Sequence, residues 1–172
     1  SEIVHNRRDA VRDKHFSEIK NSDFVTFCRA TGLRRSELQA VRGSDLVACS
    51  SSPYGIGIHV RSGKGGKERI APIYGNCSAV STIKEMCETA GSNKIFERIS
   101  SNANPHAYRA EYAATVYEAN AREISTLQGS ERYYCRWDKA GTVYDRNALL
   151  VASSALGHNR VCILSSSYLY NL

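Results

Sequence analysis

A change of hydrophobic period along the chain is the feature that most constrains its fold. Residues 22–32 and 78–90 carry apolar side chains three and four positions apart, the spacing of amphipathic helices. Between them, apolar residues alternate with small or polar ones over residues 56–60, and a glycine-rich turn separates this segment from a second candidate strand at 69–73. We therefore predict a mainly α protein with a small antiparallel β-sheet (α+β).

Local signals place further elements. Asn104 followed by Pro105 is typical of a helix N-cap and first helical position, and Asp145 suits the cap of a last helix that ends at Gly157. Ser22 is the expected cap of the first helix, and Ser36 opens a second, short one. A small hairpin is predicted from segments 133–137 and 141–144, after an irregular polar loop at 120–132.

Size and charge narrow the class of protein. The 172 residues fit one domain, since chains of this size bury about 70% of their unfolded surface. Twenty-three Lys and Arg against 17 Asp and Glu give a net charge of +6 and a pI near 9.1, which favours a polyanionic partner without proving one.

Cysteine usage and hydropathy argue against a zinc-binding, a disulfide-rich or a membrane-spanning protein. The six cysteines form no Cys-x-x-Cys motif, so we expect reduced thiols and neither a zinc site nor a disulfide framework. No apolar run approaches the roughly 20 residues of a membrane span, and the first residues do not form a signal peptide.

His106 and Arg109 lie three positions apart at the predicted helix start after Asn104. A helix N-terminus directs unpaired N–H groups and a positive dipole end at an anion, and the two side chains share a face, so they can converge on one phosphate. The same spacing also occurs on solvated surface helices of basic proteins.

Three other segments also allow both a functional and a merely structural interpretation. Arg34 and Arg35 lie at a turn where Glu37 can hold one guanidinium toward a phosphate, but they also suit an exposed helix start. Lys64 and Lys67 lie in a glycine-rich turn without the Walker spacing, which can approach a DNA groove or simply be solvated. His158 follows Gly157 and on its own is as typical of a helix cap as of a catalyst.

Taken together and in order, these segments resemble the tyrosine recombinases, the phage-integrase family, over residues 22–172. Within that family the chain is most similar to integrases of conjugative transposons and related mobile elements of Gram-positive bacteria. The resemblance is carried by five stretches: Thr31-Gly32-Leu33-Arg34-Arg35-Ser36-Glu37-Leu38, Gly63-Lys64-Gly65-Gly66-Lys67-Glu68-Arg69-Ile70-Ala71-Pro72-Ile73, His106-x-x-Arg109, Leu156-Gly157-His158-Asn159-Arg160 and Tyr168.

The resemblance implies a role for each matching residue. Arg34 and Arg109 would clamp the scissile phosphate, with Glu37 in support, and Lys64 would protonate the leaving 5′ oxygen. His106 would be an acid/base, His158 would hydrogen-bond the phosphate, and Tyr168 would be the nucleophile. The residues expected to contact DNA outside this set are Arg35, Lys67 and Arg160.

The sequence departs from the family pattern near its end. Tyr168 stands ten residues after His158, where many members have the tyrosine one residue earlier, at the position of Ser167. We assign the nucleophile to Tyr168 rather than Tyr170, because the conjugative-transposon integrases share the longer spacing. The stretch 120–145 is longer than in minimal members and has no function predicted from sequence.

The expected function is site-specific DNA recombination through a covalent 3′-phosphotyrosine, with double-stranded DNA as partner and no cofactor or metal. The alternatives are a type IB topoisomerase-like enzyme that nicks and reseals DNA, and a DNA-binding module with a degenerate site. The family implies a homo-tetramer on DNA for the full-length protein, with a monomer as the alternative for this fragment, and a cytoplasmic, nucleoid-associated bacterial protein. We expect residues 1–21 to be a linker or interdomain segment, and the family's N-terminal DNA-binding domains to lie outside this chain.

Overall fold

Five α-helices and two antiparallel sheets make up the part of the chain that the computed structural model describes, which is residues 16–136, 139–158, 160, 164, 168 and 169. The helices are α1 (Ser22–Thr31), α2 (Arg35–Ala40), α3 (Cys77–Ala90), α4 (Pro105–Asn120) and α5 (Arg146–Ala155). The strands are β1 (Leu46–Ala48), β2 (Ile56–Val60), β3 (Arg69–Pro72), β4 (Arg132–Tyr134) and β5 (Val143–Asp145). The predicted α+β class, with a small antiparallel sheet, is confirmed.

The larger sheet has the order β1-β2-β3, with both pairs antiparallel. The predicted hairpin is β2 and β3, with His59 opposite Ile70 and Val60 opposite Arg69. Its glycine-rich turn includes one turn of 3₁₀-helix at Lys64–Gly66. Sequence reasoning missed β1, since three residues are too few for alternation to be recognised.

Two hydrophobic clusters lie on either side of the site described below. The first packs α1, α2 and α3 against the larger sheet, and its fully buried members are Phe27, Leu38, Ile58, Ala71, Ile73 and Ile83. The second packs α4 against α5, the β4–β5 hairpin and the last described residues; its fully buried members include Tyr112, Ala113, Val116, Leu149, Ala152, Leu156 and Leu164.

The predicted caps of α4 and α5 are confirmed, but the predicted starts of α1 and α2 are not: α2 begins at Arg35 rather than at Ser36. The side chains of Asn104 and Asp145 accept hydrogen bonds from backbone N–H groups of the first turns of α4 and α5, and Pro105 is the first residue of α4. The cap prediction for Ser22 was wrong: Ser22 is already helical and Asn21 precedes it, without a side-chain capping bond.

The stretch 120–145 is tied to the second cluster. Two 3₁₀ turns, Ile124–Thr126 and Gly129–Glu131, lead into the predicted β4–β5 hairpin, whose residues 137 and 138 lie outside the described part. Arg122 binds both carboxylate oxygens of Asp145, at 2.9 and 3.1 Å. The segment therefore continues directly into the cap of α5.

Residues 16–21 contact the domain. The Phe16 ring packs edge-on against Phe24 with a centroid distance of 6.1 Å, and Glu18 accepts a hydrogen bond of 3.0 Å from the Tyr108 hydroxyl. The remainder of the predicted linker, residues 1–15, lies outside the described part of the chain. Among the described residues, no helix is both long and apolar enough to span a bilayer.

Replacement of Gly32 by alanine should destabilise the domain strongly. Gly32 ends α1 at φ 62°, and a Cβ there would lie 2.3 Å from Cδ1 of Tyr112, whose hydroxyl is bonded to the Pro72 carbonyl at 2.6 Å and whose ring cannot easily move. We expect Gly32→Ala to cost about 3 kcal/mol, from left-handed backbone strain plus overpacking. Urea unfolding measures this directly.

The matched control is Gly55→Ala. Gly55 has a similar φ of 71°, but a Cβ there meets nothing within 4 Å, so only the backbone cost of about 1 kcal/mol applies. Equal losses of stability in the two variants would contradict the tight packing of α1 under Tyr112.

Candidate active site

The Glu37 carboxylate is the centre of a buried charge cluster. Its side chain is 1% exposed and lies in the first turn of α2. It accepts hydrogen bonds from the backbone N–H and Nη1 of Arg34, at 2.8 and 2.9 Å, and from Nη1 and Nη2 of Arg69, at 2.6 and 3.0 Å. One carboxylate thus orients two guanidinium groups and offsets part of their charge, and the predicted contact between Glu37 and Arg34 is present.

Burial alone would raise the pKa of Glu37, because it disfavours the charged form. The hydrogen bonds and charge of Arg69, together with the N–H and charge of Arg34, outweigh that effect and lower the pKa from 4.5 to about 2. The carboxylate therefore remains charged at neutral pH and keeps both arginines in place.

Arg109 is buried to 2% exposure and joins the ends of two helices. Its guanidinium donates to the carbonyl of Gly32, at the end of α1, and to that of Leu156, just after α5, the latter at 3.3 Å. Both acceptors lie at the negative ends of helix dipoles, which favours a cation there. Burial lowers the pKa of Arg109, partly offset by the neighbouring Tyr168.

Tyr168 lies against Arg109 and between two histidine rings. Its hydroxyl is 3.4 Å from Arg109 Nη2, and the guanidinium carbon lies 5.5 Å from the centre of its ring. The His106 and His158 rings lie 5.2 and 5.9 Å from the tyrosine ring, centre to centre. Only 7% of Tyr168 is exposed, so this phenol is packed within the site.

His158 begins the chain segment after α5. Its backbone N–H donates to Ser153 O at 2.8 Å, as expected for a residue that caps a helix, and its ring Nε2 lies 3.5 Å from Arg34 Nη2. Partial burial, and after it the charges of Arg34, Arg109, Lys64 and Arg69, together lower the pKa of His158 from 6.5 to about 4. The ring is therefore neutral at pH 7, and its Nε2 can accept from Arg34.

His106 and Arg109, the pair predicted on α4, are not two equivalent phosphate ligands. Arg109 is buried whereas His106 is exposed, so the two side chains occupy different depths of the site. Tyr168 connects them, because it contacts the His106 ring on one side and the Arg109 guanidinium on the other.

The hairpin lysines and the remaining predicted DNA contacts lie nearer the surface. Lys64 and Lys67 are exposed in the turn between β2 and β3, and Lys64 is close enough to affect His158 electrostatically. Arg160 is exposed as well. Arg35 instead donates to the carbonyls of Ser100 and Ala103, at 3.0 and 2.5 Å, and so braces the loop before α4.

Arg69 is the member of the cluster that sequence reasoning missed. Its side chain is 11% exposed, and a Cβ added to Gly157 would lie 3.0 Å from Arg69 Cδ, so α5 ends directly against it. The alternation of β3 carried a usable signal: Arg69 shares a strand face with Ala71 and Ile73, both fully buried. An arginine on a buried face needs an acidic partner.

Comparison of the chain with protein-family models, with characterised proteins and with solved structures returns no match. Nor does the described part of the chain bring together three His, Cys, Asp or Glu side chains in an arrangement that could hold a metal ion.

Glu37→Gln should destabilise the domain by about 3 kcal/mol at pH 7, because it leaves two half-buried arginines without their counter-charge. The lowered pKa of Glu37 means that this stabilisation is present above pH 4.5 and is lost as the pH falls toward 2. The difference between wild type and variant in urea unfolding should accordingly shrink over that interval.

Glu131→Gln is the matched control, since Glu131 is 40% exposed and makes one ion pair, at 3.4 Å with Arg122. It should change stability by less than about 0.5 kcal/mol at any pH. A Glu37→Gln variant as stable at pH 7 as the control would show that the buried cluster does not depend on this carboxylate.

Proposed function

We propose that the chain is the catalytic domain of a site-specific DNA recombinase that cleaves and rejoins DNA through a covalent 3′-phosphotyrosine. The observation that carries this proposal is the placement of the Tyr168 hydroxyl 3.4 Å from Arg109, with Arg34 and His158 beside it. A tyrosine grouped with two arginines and two histidines is suited to attack on a phosphodiester, whose developing charge needs fixed cationic donors.

The phosphate would bind where the cationic groups converge. Arg34 is 20% exposed and is held at one end by Glu37, so its remaining N–H groups can reach a ligand. Arg109 supplies positive charge from beneath. His158, whose ring nitrogen lies beside Arg34, would turn its ring to a phosphate oxygen. The anion would also raise the pKa of His158.

The reaction we propose is a transesterification at the scissile phosphate. The Tyr168 oxygen attacks phosphorus as His106, exposed at the start of α4, accepts the phenolic proton. The bond from phosphorus to the 5′ oxygen breaks, and Lys64, on its exposed glycine-rich turn, gives a proton to the leaving oxygen. Attack by a 5′ hydroxyl on the phosphotyrosine reverses each step.

Strand exchange follows if the attacking 5′ hydroxyl belongs to a different duplex. The phosphotyrosine conserves the phosphodiester bond energy, so the proposal requires neither a nucleotide nor a metal cofactor. Exposed basic residues at the hairpin turn and after α5, Lys67 and Arg160, would contact the DNA backbone. We further propose, from the resemblance, that the active form on DNA is a homo-tetramer that integrates or excises a mobile element.

A nicked duplex tests the chemistry, because cleavage beside the nick releases a short oligonucleotide and prevents rejoining. We expect wild-type protein to form a covalent adduct that survives denaturation, and Tyr168→Phe to form none while its DNA affinity is unchanged. Tyr170→Phe is the matched control and should retain the adduct. Absence of an adduct with wild-type protein would contradict the enzymatic proposal and leave a DNA-binding module.

Two product assays then separate the rival enzymes. Joining of two labelled duplexes supports a recombinase. Relaxation of supercoiled DNA without any joining would instead support a type IB topoisomerase-like enzyme.

A further inference from the structure

The chain segment that carries Tyr168 is fastened to the β4–β5 hairpin by one carbonyl group. The carbonyl of Leu169 accepts a hydrogen bond from the Tyr144 hydroxyl at 3.1 Å and a second from Lys139 Nζ. Leu169 and Tyr144 are 1% and 3% exposed, so water competes little for these bonds. The contact lies one residue beyond the phenol.

Tyr144, a donor in this contact, is held in place by its own neighbours. The Tyr144 ring packs edge-on against Tyr117 of α4 at 5.4 Å, and the backbone N–H of Asp145 donates to the Tyr117 hydroxyl at 3.0 Å. Asp145 is also bonded to Arg122 and caps α5. The hydrogen bonds of Arg122 are the main cause that lowers the pKa of Asp145, to about 2, so this support persists at neutral pH.

Leu169, the acceptor, is also held by a hydrogen bond within the segment that carries Tyr168. The backbone N–H groups of Tyr168 and Leu169 both donate to the Leu164 carbonyl at 3.0 Å, and Leu164 is fully buried in the second cluster. The backbone around the phenol is therefore held at Leu164 on one side and at the hairpin on the other. The phenol meets Arg109 of the same chain.

We propose that the β4–β5 hairpin is a positioning device for the nucleophile, in which Tyr144 and Lys139 hold the Leu169 carbonyl and so keep Tyr168 in the phosphate site of its own chain. The inference rests on the proposed function, and it gives a role to the stretch 120–145. Attack on phosphorus depends steeply on placement, since a shift of about 1 Å costs on the order of a hundredfold in rate. Tyr144 and Lys139 are positioning residues, which act through the Leu169 carbonyl.

The first test measures single-turnover cleavage of the nicked duplex by Tyr144→Phe, which keeps the ring and removes the donor. We expect the cleavage rate to fall about tenfold and the DNA dissociation constant to stay unchanged. Lys139→Met should act in the same direction. Tyr134→Phe is the matched control, because Tyr134 is on the same hairpin but 56% exposed, and it should cleave like wild type.

The second test distinguishes positioning of the phenol from damage to the phosphate clamp. In Tyr168→Phe, hydrogen peroxide serves as an external nucleophile: its anion attacks phosphorus while the 5′ oxygen leaves with a proton. Addition of Tyr144→Phe to this variant should not change peroxide-supported cleavage. An equal loss with peroxide and with the native tyrosine would overturn the positioning role.

The third test needs no DNA. Hydrogen exchange at the amides of Tyr168 and Leu169 should rise about fivefold in Tyr144→Phe and stay unchanged in Tyr134→Phe. If wild-type protein forms no adduct, the proposed function is contradicted. Hydrogen exchange then tests only whether the hairpin holds the Leu169 carbonyl. An adduct from wild type with unaltered cleavage in Tyr144→Phe would refute the inference and leave the proposed function intact.

Discussion

The buried carboxylate of Glu37 lies between two arginines that would otherwise repel each other and the buried guanidinium of Arg109. Arg34 and Arg69 both bond to it, so the single negative charge reduces their mutual repulsion and leaves a net positive charge. Without that carboxylate, a preorganised cationic site at the junction of α2, β3 and α5 would be electrostatically unfavourable. Arg34 is thereby oriented in advance, and little reorganisation is needed when an anion binds.

The proposed chemistry also needs a nucleophile at this site, and the second cluster holds the candidate, Tyr168. Arg109 bonds to the ends of α1 and α5, which couples the two clusters at the site. Tyr168 comes back to the same guanidinium from the end of the chain, and the Leu169 carbonyl is fixed by the hairpin before α5. The proposed chemistry thus depends on elements that are distant in sequence.

The local features were predictable from sequence because their determinants are local. Asn104 and Asp145 cap helices through bonds to residues two or three positions on, and the Arg34 to Glu37 bond spans three residues. Arg69 escaped prediction because its partner lies 32 residues away. The hairpin's contact with Leu169 spans 25 residues and ends on a backbone carbonyl, which no side-chain pattern encodes. Tertiary packing, rather than propensity, determines such contacts.

We propose that Tyr168 forms the bond to DNA, and mass spectrometry of the covalent adduct identifies the residue that carries the nucleotide. After nuclease and protease digestion of the trapped complex, we expect a nucleotide attached to the Tyr168 oxygen through the 3′-phosphate. A nucleotide on Tyr170, on a serine or on a lysine, or one attached through its 5′-phosphate, would contradict the site described above.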